Sequence, residues 1–342
     1  MKLLRPGLAV TLVLAAVVVS SALGTGTALA GFADNTVRAR TTFAAAADWV
    51  APLVGSTTIA KKVGYLAGSI KPGGSYYVYA NVVDTGNPAS GVAPTGEKAN
   101  VTAITPTGSA ITLLAGSYSV TGTAYTHRSA ELVATTPLPA GEKVYSITSL
   151  DNAGNTRTQT GYGVIVDSTA PFASDIQTTN VTGGVASRAQ LGDTIIFTFS
   201  EQIDPQSILT GWTGSSTNVV VRLIDGGCTL VLCSDDSVEI RNATDTTQLP
   251  LGTIDLNRSD YHGGGLLGAQ APLRFGATGT PSTMVQTTST ITVTLGTASS
   301  TADTAGGSAA ITWSPSSAAY DAAGNPMTTT VRNESGPADR DF

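Results

Sequence analysis

Apolar and polar residues alternate in short runs along this chain, the period of a strand with one buried face. In SYYVYANVV (Ser75–Val83), Tyr76, Val78, Ala80 and Val82 share one face, and Tyr77, Tyr79 and Asn81 share the other. In LGDTIIFTFSEQID (Leu191–Asp204), Ile195, Phe197 and Phe199 align. STITVTLGT (Ser289–Thr297) sets Ile291, Val293 and Leu295 against Thr290, Thr292 and Thr294, a strand with one wetted, Thr-lined face. VTAIT (Val101–Thr105) and KVYSIT (Lys143–Thr148) predict further strands. Gly, Pro and Asn punctuate these runs, as they do in all-β chains with frequent turns.

Composition supports the same class. Charged residues are 12% of the 342, Gly numbers 38, and apolar residues reach 41%, enough to build a core. The length suits about two domains. A turn phrase occurs twice, DNAGN at Asp151–Asn155 and DAAGN at Asp321–Asn325, each following a strand-like stretch. After the first copy the chain runs through a short strand into VDSTAP (Val166–Pro171). There Pro171 removes a donor and holds Ala170 extended, so the joint is short and stiff.

The Asp–x–Ala–Gly–Asn turn, the following strand and the Val–Asp–x–Thr–Ala–Pro joint resemble the immunoglobulin-like modules of bacterial secreted and surface proteins. The Gly–Asp–x–Ile–x–Phe–x–Phe–Ser–Glu strand at Gly192–Glu201 resembles the same modules. The resemblance implies two tandem immunoglobulin-like β-sandwich modules, 51–168 and 169–342. The second would be elaborated by a Gly-rich insert at about 225–288, where unique function would sit because loops vary on a rigid scaffold.

The start of the chain carries an export pattern. Lys2 and Arg5 precede the apolar run Leu8–Val19, and Ala28–Ala30 offers small residues for cleavage. Residues 1–30 are therefore expected to be a cleaved signal peptide, an uncleaved anchor being the alternative, and no other segment is apolar enough to span a bilayer. The leader, 31–50, resembles the opening of TasA/camelysin-type exported proteins through Ala30, Phe32, Asp34, Thr36, Thr42, Phe43, Ala45 and Trp49. That resemblance implies the export route and a biofilm-matrix or surface-fibre setting, and it stops before the first module.

The formal charge is −6, and losing Lys2 and Arg5 with a signal peptide makes the remainder more acidic. That balance argues against nucleic acid and anionic membrane surfaces as partners. Cell-surface or matrix proteins, glycans or a second copy of the chain fit better.

Candidate chemistry is sparse. HGGG at His262–Gly265 resembles the oxyanion-hole phrase of some esterases, but no Gly–x–Ser–x–Gly elbow accompanies it, so a flexible glycine loop is the better reading. Glu97, Glu131, Glu142, Glu201, Glu239 and Glu334 mark no catalytic pair, and no catalytic residue is expected. No cofactor is expected, save that calcium suits oxygen-rich extracellular turns. Its candidate ligands are Asp151, Asn155 and Asp167 near the joint, with Asp235 and Asp236 a separate acidic pair. The plainer reading is that these Asp and Asn side chains bond their own backbone.

Tyr77 and Tyr79 would face outward if Val78, Ala80 and Val82 face the core, and outward tyrosines can stack on sugars or anchor a protein. A covering strand or loop is the alternative. Trp212 and Trp313 are expected in the core. Cys228 and Cys233, in CTLVLC, suit a local disulfide in an exported protein, the alternative being a reactive or metal-binding pair. Together these observations predict a secreted or cell-surface structural or adhesive protein, with a carbohydrate binder as the alternative and an extracellular hydrolase behind it.

Overall fold

The computed structural model describes residues 47–230, 232–263 and 268–342. The expected signal peptide, the expected leader as far as Ala46, and Gly264 and Gly265 of the HGGG phrase lie outside the described residues. Residues 48–342 form one compact body. It is all-β, with one short helix, α1 (Pro205–Ile208), among the described residues. No described helix is long and apolar enough to cross a membrane.

The first part contains β1 (Leu53–Lys61), β2 (Ser69–Ile70), β3 (Ser75–Val83), β4 (Lys98–Asn100), β5 (Ile111–Val120), β6 (Thr123–Ser129), β7 (Leu132–Val133), β8 (Gly141–Leu150) and β9 (Thr156–Val166). Its strands pair in the order β1-β3-β6-β5-β4-β8-β9-β2, with β7 also on β3. The second part contains β10 (Ala173–Thr179), β11 (Thr194–Phe199), β12 (Thr217–Ile224), β13 (Ser237–Asn242), β14 (Gln248–Asp255), β15 (Leu273–Phe275), β16 (Ser282–Thr287), β17 (Thr290–Thr294), β18 (Thr312–Ser314) and β19 (Arg332–Asn333). Their order is β10-β11-β17-β16-β12-β13-β14-β18-β19, with β15 also on β12.

The alternating runs fold as strands because one face of each finds a core. Tyr76, Val78, Ala80 and Val82 are buried, as are Ile195, Phe197 and Phe199, and Ile291, Val293 and Leu295. Burying each such Val, Ile, Leu or Phe side chain contributes about 1.5–3 kcal/mol relative to exposure. Two large cores result, one drawn from residues 54–166 and one from 173–342, with no residue in common. Trp313 lies at the centre of the second, edge-on to Phe197 and Phe199 at 5.1 and 5.2 Å, with Nε1 donating to Leu251 O at 2.6 Å. Trp212 is buried in the same core.

Neither sheet is a pair of flat layers. Each path rolls until its ends approach, giving barrel-like units. In the first, β1 comes beside β9, and the Gln159 side chain bridges them by accepting from Val54 N (2.7 Å) and donating to Val54 O (3.3 Å). In the second, β10 comes beside β19. Strand twist and register shifts, as at Val54/Ser56 and Ala173/Asp175, supply the curvature.

Two sequence expectations change. Val101–Thr105 is a tight turn, not a strand: the amides of Ile104 and Thr105 both donate to Val101 O at 2.9 Å. Val101 and Ile104, three apart, are both buried, a helical-turn spacing that the β-branched composition conceals. The region 225–288 is not a loop appended to the sheet. It supplies β13 to β16, and Val238, Ile240, Leu249, Leu251 and Ile254 are core residues.

Candidate functional site

The two Asp–x–Ala–Gly–Asn turns are built alike. Gly154 and Gly324 each sit at φ 94°, a conformation that costs an L side chain about 1–2 kcal/mol, so glycine belongs there. Asp151 Oδ1 accepts from Asn155 N (2.7 Å) and its Oδ2 from Asn155 Nδ2 (2.7 Å). In the second copy Asp321 accepts from Asn325 N and Nδ2, each at 2.8 Å.

Each asparagine also donates to the chain where its own unit begins: Asn155 Nδ2 to Asp48 O (3.0 Å), and Asn325 Nδ2 to Asp167 O (3.1 Å). Asp48 and Asp167 thus occupy equivalent places, and the sequence shows why. Asp48–Pro52 reads DWVAP and Asp167–Pro171 reads DSTAP, a second repeat that marks the entrance of each unit. Asp48, which the leader boundary places outside the first module, is buried within the body.

This arrangement separates the calcium ligands expected from sequence. Asp151 and Asn155 lie with Asp48 and Asp84, whereas Asp167 lies with Glu201 and Asp321. The carboxylates of the first group are occupied by amides: Asp48 accepts from Val50 N and Ser90 N, and Asp84 from Gly86 N and Gly91 N. Asp321 accepts four N–H donors. Backbone-bonded turn residues describe these groups better than a joint calcium site. Glu201 is pushed up to about 7 by burial, with the charges of Asp321 and Asp167 adding to the effect.

Between the two sheets lies a buried ion pair, Lys61 Nζ to Asp204 Oδ2 at 2.5 Å. Lys61 uses all three of its donors, the others going to Leu66 O (3.1 Å) and Ala322 O (2.7 Å). Asp204, the N-cap of α1, also accepts from the amides of Tyr65, Leu66 and Gln206 at 2.9 Å. Burial lowers the Lys61 ammonium, opposed by Asp204 and Asp321. Beside it is a cleft of about 280 Å³ lined by Lys61, Lys62, Lys71, Tyr320 and Gly324. Lys62 pairs with Glu131 at 2.7 Å and Lys71 donates to Gly324 O at 2.6 Å.

The tyrosines are not an open platform. Tyr79 is buried against Tyr125 and Ala60 beneath the β5–β6 hairpin, and Tyr77 and Tyr118 pack at its edge. Arg128 lies over the rings of Tyr77 (4.4 Å) and Tyr118 (4.5 Å), so a guanidinium already covers faces that a sugar would need. The outward reading of Tyr79 is corrected: alternation shows which residues share a face, not what covers that face.

Cys228 and Cys233 form a disulfide. Asp235 and Asp236 do not act as a pair. Asp235 is exposed, while Asp236 is buried and accepts from Gly226, Tyr261 and His262 amides. His262 is buried, and its Nε2 lies 2.9 Å from Ala271 O.

Two acidic features escaped the sequence reading. Glu97 is fully buried; Oε1 accepts weakly from Leu150 N at 3.3 Å, Oε2 has no partner, and burial raises the carboxyl to about 7. Glu334, Asp339 and Asp341 cluster at the end of the second unit. No family model, curated protein or solved structure matches this chain.

Proposed function

We propose that this is an exported structural or adhesive protein that works as a stiff spacer at a cell surface or in an extracellular matrix, built from two barrel-like β units. The carrying observation is the junction. A buried, fully bonded Lys61–Asp204 pair joins the units, and Asp167 is bonded to both, its amide to Ile70 O and its carbonyl to Asn325 Nδ2. A protein whose work is presentation needs such coupling, and its partners would be surface or matrix proteins or further copies of itself.

The test is to fractionate producing cells and size the protein under non-denaturing conditions, then measure its length by small-angle scattering. Surface-retained material of high mass, built from subunits of one fixed length, is the expected result. A monomer free in the medium, with units that vary in relative orientation, would overturn the proposal.

A further inference from the structure

Glu334, Asp339 and Asp341 bring one carboxylate oxygen each within 4.8 Å of one another. That is about the span of two oxygens bound across a calcium ion at ~2.4 Å. Glu334 and Asp341 are 9% and 0% exposed. Among the described residues, no Lys or Arg forms an ion pair with any of the three.

A second observation is independent of this clustering. Asp341 Oδ1 accepts from the Thr178 hydroxyl at 2.9 Å, whereas Asp341 Oδ2 is buried with no donor. Glu334 Oε1 is likewise buried and unpartnered. A buried carboxylate oxygen without a donor is costly, and two in one group leave a strong demand for positive charge.

The surroundings hold the group in place. Glu334 N donates to Ile311 O at 3.0 Å. Tyr261 Oη donates to Asp341 O at 3.3 Å, and Phe342 packs edge-on against the Tyr261 ring. Ser335 donates through N and Oγ to Asp175 of β10, both at 2.8 Å.

We propose that Glu334, Asp339 and Asp341 bind a divalent cation of the calcium class, which folds the 334–342 segment on itself where Ser335 and Asp341 already bond to Asp175 and Thr178 of β10. Calcium suits the group better than magnesium. The ligands are all oxygens on an irregular segment, and extracellular modules bind calcium with Kd of about 10⁻⁴–10⁻³ M. The site is distinct from the turn groups at Asp151 and Asp321, whose carboxylates already accept amide hydrogens.

The experiment compares thermal melts of the full chain in CaCl₂, in MgCl₂ and in EDTA. Calcium at tenfold excess over Kd should raise Tm by about 2 °C, with magnesium giving less. Glu334→Gln should equal or exceed the wild type in EDTA, because it relieves like-charge repulsion, yet lose the calcium shift. Asp341→Asn should lose the shift as well. Asp84→Asn with Glu201→Gln should keep it. Terbium luminescence sensitised through Tyr261 gives a second readout, quenched by calcium and absent in Glu334→Gln. Equal Tm in calcium and EDTA, or a shift that survives Glu334→Gln, would overturn the proposal. So would a shift lost only in the Asp84/Glu201 variant.

Discussion

Replacing Asp204 by alanine tests whether the two units are mechanically one. The substitution removes the counter-ion of a buried ammonium and the acceptor for the Tyr65, Leu66 and Gln206 amides. Breaking a buried pair from one side costs about 3–5 kcal/mol, because the charge left behind stays desolvated. The lost N-cap is worth about 1 kcal/mol by itself, but it belongs to the same carboxylate, so the costs do not add. We expect a loss of about 3–5 kcal/mol from Asp204→Ala. Lys61→Met should cost less, since Asp204 keeps its backbone donors. Urea melts with hydrogen exchange followed in β3 and β17 separate the units: wild type should open both together, and Asp204→Ala should open them at different urea concentrations. An Asp204→Ala protein within about 1 kcal/mol of wild type that still unfolds as one unit would refute the reasoning.

Glu97 should make stability fall as pH rises. Its folded value near 7 lies above the ordinary carboxyl value, so the penalty is absent below about pH 4, grows towards pH 7 and then levels off, reaching about 3 kcal/mol. Urea melts at stepped pH should show Glu97→Gln stabilised over wild type at pH 8 but not at pH 4. Asn155→Ala and Asn325→Ala should each cost about 1–2 kcal/mol and add, being well separated, as a double variant in denaturant melts would show. Cys228→Ser with Cys233→Ser should cost no more than about 2 kcal/mol, because so short a loop restricts the unfolded chain little; melts with and without reductant check this.

Strand identity was legible wherever one face meets a core, as in Ile195–Phe199 and Ile291–Leu295, because period two survives any topology. The turns were legible because glycine at φ 94° leaves a fixed mark in the sequence. Their role as clasps was only half visible, since DWVAP and DSTAP share only Asp, Ala and Pro, and the first begins in a stretch read as leader. The fate of Tyr79 was hidden because its cover, the β5–β6 hairpin, is remote in sequence and carries no pattern of its own. The same holds for Lys61 and Asp204, 143 residues apart. The Glu334 cluster was missed because its acids are spaced irregularly, and only the burial of the unpartnered Asp341 Oδ2 and Glu334 Oε1 distinguishes them from ordinary surface acids.

Asp167 sits where tension along the chain must pass from one unit to the next. Its amide donates to Ile70 O in the first unit, its carbonyl accepts from Asn325 in the second, and its carboxylate holds Thr169 N. A tether would pay out slack under a pull, but this residue has none to give. Compliance at low force should therefore be small, and lengthening should come in whole-unit steps as clasps at Asp48 and Asp167 rupture, the response of a strut rather than a spring.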